Sequence, residues 1–180
     1  MSTFISILTF SRIILGFIIF ALLMTPSGYL LALILFFVAA ITDYFDGYFA
    51  RKFNAVSQFG EVLDPIADKI LIVFVLFGLS ISLSSYLIGF IAAMIISREI
   101  WVGALRDLNA RKGKSELTKV TFLAKIKTTV QLSTISIYLF GLSINNMFIL
   151  IIGDIFLFIT FFITIYTGYI YTNSSFKDKA

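Results

Sequence analysis

Six apolar runs, at residues 4–24, 29–50, 58–79, 84–107, 119–141 and 147–171, take up most of the 180-residue chain. Each is close to the roughly 20 residues an α-helix needs to cross a bilayer. With 59% hydrophobic residues, 21 phenylalanines and a mean hydropathy of +1.02, the chain lies far from an ordinary soluble domain. The reading is an all-α integral membrane protein with six transmembrane helices, too short for a second large domain. The first run lacks an A-x-A-like end and is read as a retained helix rather than a cleaved signal.

The charges between the runs set an orientation. The breaks at 25–28, 78–85 and 142–146 contain no charged residue, whereas those at 51–54 and 106–119 and the tail Lys177-Asp178-Lys179 are rich in Lys and Arg. Six spans place these two sets on opposite sides of the membrane. The positive-inside rule assigns the basic set, and both termini, to the cytoplasm of a multi-pass cell-membrane protein. The basic residues are then explained by topology, and nothing points to nucleic acid.

Asp43, Asp46, Asp64 and Asp68 fall at the cytoplasmic ends of spans two and three. Acids at membrane depth are costly, about 2.5–3.5 kcal/mol each on insertion scales, so such a cluster is read as functional. Asp43 and Asp46 are i,i+3; Gly60, Asp64 and Asp68 are i, i+4, i+8, so each set shares a helix face. The short turn near 52–57 predicts that the two helices are antiparallel neighbours whose acidic faces meet. Gly47, Ala50 and Gly60 leave room between them for a close backbone or a flat ligand. Pro65 is expected to loosen the third helix and free a carbonyl near the acids.

Facing carboxylates repel unless cations lie between them. The chain has no Cys and no His, so any metal is held by oxygen, pointing to Mg²⁺, Mn²⁺ or Ca²⁺. Two such ions would neutralise the aspartates and clamp a phosphate during displacement. Charges at helix ends can also merely anchor the interface, and Lys52, Glu61 and Lys69 are read that way.

The pattern Asp43-x2-Asp46-Gly47-x2-Ala50-Arg51-x8-Gly60-x3-Asp64-x3-Asp68 resembles, position for position, the signature of the CDP-alcohol phosphotransferases. Three other stretches resemble the phosphatidylglycerophosphate synthase branch of that family. They are I-I-S-R-E-I-W-V-G-A-L-R (95–106), Lys125-Ile126-Lys127-Thr128, and Leu8-Thr9-x2-Arg12. The likeness covers nearly the whole chain, residues 1–180 as one domain, and is weakest after residue 142. One departure is Ile5-Ser6, where Pro-Asn is usual; Ser6 can still hydrogen-bond.

The resemblance implies transfer of the phosphatidyl group of CDP-diacylglycerol to an alcohol, with release of CMP, by a homodimer in the lipid membrane. It implies Asp43, Asp46, Asp64 and Asp68 as ligands of two Mg²⁺ ions, Mn²⁺ being the alternative, and Asp68 as general base. It places Thr9, Gly47, Ala50, Arg51 and Gly60 at the donor, with Arg51 on the diphosphate. Arg98, Arg106, Lys125 and Lys127 near the aspartates suit an acceptor that carries its own phosphate. Arg98 and Glu99 lie too deep in an apolar segment to be decoration. Glycerol-3-phosphate and inositol phosphate both fit, and the whole-chain likeness favours glycerol-3-phosphate. Phosphatidylglycerol is a further alternative acceptor. A divalent-cation transporter and a structural lipid-binding protein are the readings from other classes. The transporter lacks acids along the far halves of its spans, except for Asp154, and the lipid-binding protein leaves the aspartate spacing unexplained.

Overall fold

The computed structural model describes residues 2–52, 58–114, 116 and 122–176, with the side chains of 2–8, 44–52, 58–62 and 64 outside that description. Among the described residues there are six long helices: α1 (Ser2–Leu22), α2 (Tyr29–Lys52), α3 (Gln58–Ser82), α4 (Tyr86–Arg111), α5 (Phe122–Ser143) and α6 (Met147–Phe176). Each overlaps one predicted run. Among the described residues four stretches are long and apolar enough to cross a membrane: Pro26–Asp43, Pro65–Ser82, Tyr86–Arg111 and Met147–Phe176. The described side chains of α1, Thr9–Leu22, form a further apolar stretch of that 21-residue helix. α5 is long enough but carries Lys125, Lys127, Gln131 and a series of Ser and Thr.

The uncharged breaks are tight. Pro26–Gly28 forms a single 3-10 turn between α1 and α2. Ser85 caps α4 by accepting a hydrogen bond from the Ile88 amide, and Asn146 Oδ1 accepts from the Phe148 and Ile149 amides at the start of α6. These side chains satisfy amide groups that the first helical turn leaves without partners. Pro65 does not interrupt α3, which runs as one helix through it.

Packing follows a closed order. α1 packs on α2 and α3, α3 on α4, α4 on α6, α6 on α5, and α5 back on α2, with a slighter α3–α5 contact across the ring. Among the described residues α1 stands between α2 and α3; the side chains at the ends of α2 and α3 nearest their connection, where direct pairing is expected, lie outside the description. A short connection permits two helices to pack directly but does not force it. Here α1 takes the place between them, because its Ile19 and Leu23 join Leu71, Val75 and Leu79 of α3 in the main core. Gly16 makes the approach close: a Cβ there would lie 3.3 Å from the Leu71 Cα.

The main core draws on all six helices, whereas a smaller cluster of Val102, Leu105 and Tyr171 packs between α4 and α6 toward the end rich in charge. A seam of buried polar residues also runs along α5 and α6: Lys127, Gln131 and Thr134 on one, Thr160, Thr164 and Thr167 on the other. Thr134 and Thr160 hydroxyls meet at 2.8 Å. Such links join helices that a surrounding of equal apolarity does not push together.

Candidate active site

Asp43 of α2 and Asp68 of α3 converge on one guanidinium. Arg12 of α1 donates from the same nitrogen, Nη1, to Asp43 Oδ1 at 2.5 Å and to Asp68 Oδ1. All three residues sit about ten positions, or roughly 15 Å of helix, from the near end of their helices. The Arg12 side chain is 1% exposed, while those of Asp43 and Asp68 are 50% and 45% exposed. A buried cation thus faces outward onto two accessible carboxylates. Arg12 lies one turn from Gly16, so the close α1–α3 approach is what delivers it to Asp68.

Two cavities meet at Asp68. One, of about 250 Å³, is lined by Arg12, Asp43 and Asp68 with Phe36, Ala39 and Ala40 of α2 and Thr128 and Leu132 of α5. The other, of about 270 Å³, lies between α3, α4 and α5 and is lined by Asp68, Lys69, Glu99, Lys127, Thr128 and Gln131 over an apolar floor. Both fall just below the roughly 300–1,000 Å³ of drug-sized sites and suit small groups.

The second cavity is organised by Glu99. Its Oε1 accepts from Arg98 Nη1 at 2.9 Å and from Lys127 Nζ, and its Oε2 lies 3.9 Å from Lys69 Nζ. Three cations from α3, α4 and α5 therefore surround one carboxylate. Arg98 is further fixed by donating to Thr167 of α6 at 2.9 Å. Its stem also packs on Gly168, where a Cβ would come within 3.1 Å of Arg98 Cγ.

The expected site residues divide into four groups. Asp43, Asp68 and Lys127 are brought to the cavities, and Arg98 stands directly behind Glu99. Thr9 is buried on α1, three residues before Arg12. Arg106 and Lys125 line neither cavity: Arg106 reaches the ring and hydroxyl of Tyr171, and Lys125 is exposed. The side chains of Asp46, Gly47, Ala50, Arg51, Gly60 and Asp64 lie outside the described residues, although all six positions are helical in α2 or α3.

For four residues the sequence alone gives no role in the site. Arg12 was matched as part of a motif without a function, and Lys69 was read as an interface anchor. Glu99 stood out by depth alone, and Gln131 by nothing. The one available signal was a charged side chain inside an apolar run, which Arg12 and Glu99 both give. Asp154, which stood alone in the sixth run, accepts a hydrogen bond from the Tyr138 hydroxyl at 2.6 Å. Trp101 donates to Thr172 across the α4–α6 seam.

The acidic site fits a hard divalent cation by its chemistry. Two carboxylate oxygens from different helices lie within reach of a single positive nitrogen, they are half exposed, and the chain offers neither imidazole nor thiolate. Among the described residues no group of three or more acidic ligands is assembled.

The chain is similar to known proteins over most of its length. The family model described as CDP-alcohol phosphatidyltransferase matches residues 3–166. A Rickettsia bellii protein is 40% identical over 148 residues, covering 82% of this chain and 80% of its own. A Rickettsia felis protein is 43% identical over 143 residues, covering 78% and 76%. An Escherichia coli K12 protein is 40% identical over 130 residues, covering 71% of each. All three bear the name CDP-diacylglycerol–glycerol-3-phosphate 3-phosphatidyltransferase. With a family model spanning nearly its whole length and an acidic pair in the matched motif converging on one buried arginine, the chain belongs to the CDP-alcohol phosphatidyltransferase family.

Proposed function

We propose that this protein transfers the phosphatidyl group of CDP-diacylglycerol to glycerol-3-phosphate, giving phosphatidylglycerophosphate and CMP. The observation that carries the reading is the position of Asp68, which lines both the acidic cavity and the cation-lined one. A general base must reach the proton it abstracts while the acceptor is held beside the donor. At Asp68 both conditions can be met by one side chain.

Asp43, Asp46, Asp64 and Asp68 would hold Mg²⁺, two ions on the family pattern, with Mn²⁺ as the alternative. The bound ions would supply charge neutralisation for the donor diphosphate and the leaving CMP. The chain's own residues do the remainder. Asp68 takes the proton of the attacking hydroxyl. Arg51 contacts the diphosphate, while Thr9, Gly47, Ala50 and Gly60 shape the donor site. Lys127 and Lys69 face the second cavity and attract the acceptor phosphate; Arg98 keeps Glu99, and so Lys127, in place. Arg106 and Lys125 stand outside that cavity and are assigned to drawing the anionic acceptor from solution.

By the positive-inside rule, both termini and the site face the cytoplasm of the cell membrane. This matches a water-soluble acceptor and a lipid donor meeting at the interface. The family resemblance supports a homodimer.

The test is CMP release by the purified protein in detergent–lipid micelles containing CDP-diacylglycerol and Mg²⁺. Glycerol-3-phosphate, inositol phosphate, serine and phosphatidylglycerol are offered singly. Release with glycerol-3-phosphate alone is expected, with loss on EDTA and recovery on added Mg²⁺. Release with another acceptor would reject the acceptor assignment, and no release with any would reject the transferase reading.

A further inference from the structure

Glu99 is an odd component for a site that attracts a phosphate. A carboxylate accepts hydrogen bonds and donates none, and it repels phosphate oxygens. Yet its side chain, 19% exposed, lines the same cavity as Lys127, Lys69 and Asp68. If the cavity had only to bind phosphate, an uncharged group there would serve better.

The two oxygens of Glu99 are unequally used. Oε1 accepts from both Arg98 and Lys127, whereas Oε2 accepts no hydrogen bond among the described residues and has Lys69 Nζ at 3.9 Å. An ionised oxygen anchored on one side and available on the other is a fixed acceptor for a hydroxyl. We infer that Glu99 is the specificity-determining residue of the acceptor site: its Oε2 takes a hydrogen bond from the second hydroxyl of a phosphorylated vicinal diol. The inference rests on the acceptor reading above and deepens it.

Three functional groups of the acceptor then have three distinct partners on the cavity wall. The phosphate goes to the Lys127 and Lys69 ammonium groups, on the sides turned away from Glu99. The attacking hydroxyl goes to Asp68. The neighbouring hydroxyl goes to Glu99, whose repulsion of phosphate prevents the acceptor from binding in the reverse sense. A phosphorylated mono-alcohol leaves Oε2 facing the cavity with no hydrogen taken up, and a site built around such an acceptor discriminates against it.

The test compares glycerol-3-phosphate with 3-hydroxypropyl phosphate, which keeps the phosphate and the attacking hydroxyl but lacks the middle one. The full-length protein is assayed for CMP release in micelles with CDP-diacylglycerol and Mg²⁺. The wild type is expected to favour glycerol-3-phosphate in kcat/KM by about 10- to 100-fold, the range for a hydrogen bond to a charged group. In Glu99→Gln that preference should fall about tenfold, mainly through glycerol-3-phosphate, because the acceptor oxygen loses its charge. A role confined to holding the cations would instead lower both substrates by the same factor, and that result overturns the proposal. Equal use of the two acceptors by the wild type also overturns it, with no variant needed should Glu99→Gln fail to fold. CMP release with glycerol-3-phosphate but without discrimination rejects Glu99 alone, whereas no release with either acceptor rejects the reaction as well.

Discussion

The two charged clusters are inverses of each other. Among the described residues, one buried arginine gathers two half-exposed carboxylates on the α1–α2–α3 side, and one carboxylate gathers three cations on the α3–α4–α5 side. In each case like charges are brought together by a single opposite charge at the centre. That central charge makes a cluster of like charges tolerable in a surrounding of low polarity, where isolated charges are not. The clusters differ in how the centre is placed. Arg12 is buried behind its carboxylates at the wall of the acidic cavity, while the acids themselves are half exposed. Glu99 lines the cavity among its cations and meets whatever enters.

This contrast assigns chemistry to one side and recognition to the other, and the largest expected effect breaks it at the shared residue. Asp68→Asn should lower turnover by about 10³-fold, within the range for removing a general base, while CDP-diacylglycerol binding stays near normal. Normal turnover would take the base role from Asp68.

Lys127 and Lys125 sharpen the basic side. Lys127→Met should raise the KM for glycerol-3-phosphate by about 10- to 100-fold, as for a lost charged hydrogen bond, and leave the donor KM within about twofold. Lys125→Met, at an exposed position outside the cavity, should change either KM by no more than about twofold. Equal effects of the two substitutions on the acceptor KM would show that the cavity does not select between them.

The centre of the acidic side is tested through stability. Removing one partner of a fully buried ion pair costs about 3–5 kcal/mol; with Asp43 and Asp68 half exposed, Arg12→Met is expected to cost about 2 kcal/mol. Because Mg²⁺ can take over the neutralisation, the variant should gain more in thermal stability from added Mg²⁺ than the wild type does. Identical Mg²⁺ shifts in thermal unfolding would separate Arg12 from the metal-binding carboxylates. The smallest effect is expected for Thr167→Val, which removes the α6 anchor of Arg98. A loss of about 1 kcal/mol in stability and a two- to fivefold rise in acceptor KM would be consistent with one neutral–charged hydrogen bond. An unchanged KM would mean that Glu99 and Lys127 hold Arg98 without help.

The positions that were legible in the sequence are those whose meaning is local. Hydropathy marked each helix, and Pro26, Ser85 and Asn146 fall where the chain turns. The aspartate spacing predicts one helix face for Asp64 and Asp68, and Asp68 reaches both cavities. Pairings over long separations were not legible: Arg12 meets Asp43 across 31 positions and Asp68 across 56, and Glu99 meets Lys127 across 28. Lys69 shows the same limit. Next to Asp68 in sequence, it read as an anchor until α4 brought Glu99 to it.

By itself, then, the sequence determined a six-run membrane chain with an acidic motif at one end and basic residues nearby, because burial of apolar runs and helix periodicity act over neighbouring residues. The tertiary structure decided that α1 lies between α2 and α3, which cations share a cavity with Asp68, and which single charges sit at the two centres. Helix packing joins residues remote in the chain, and the electrostatic energy depends on distances that only this packing sets.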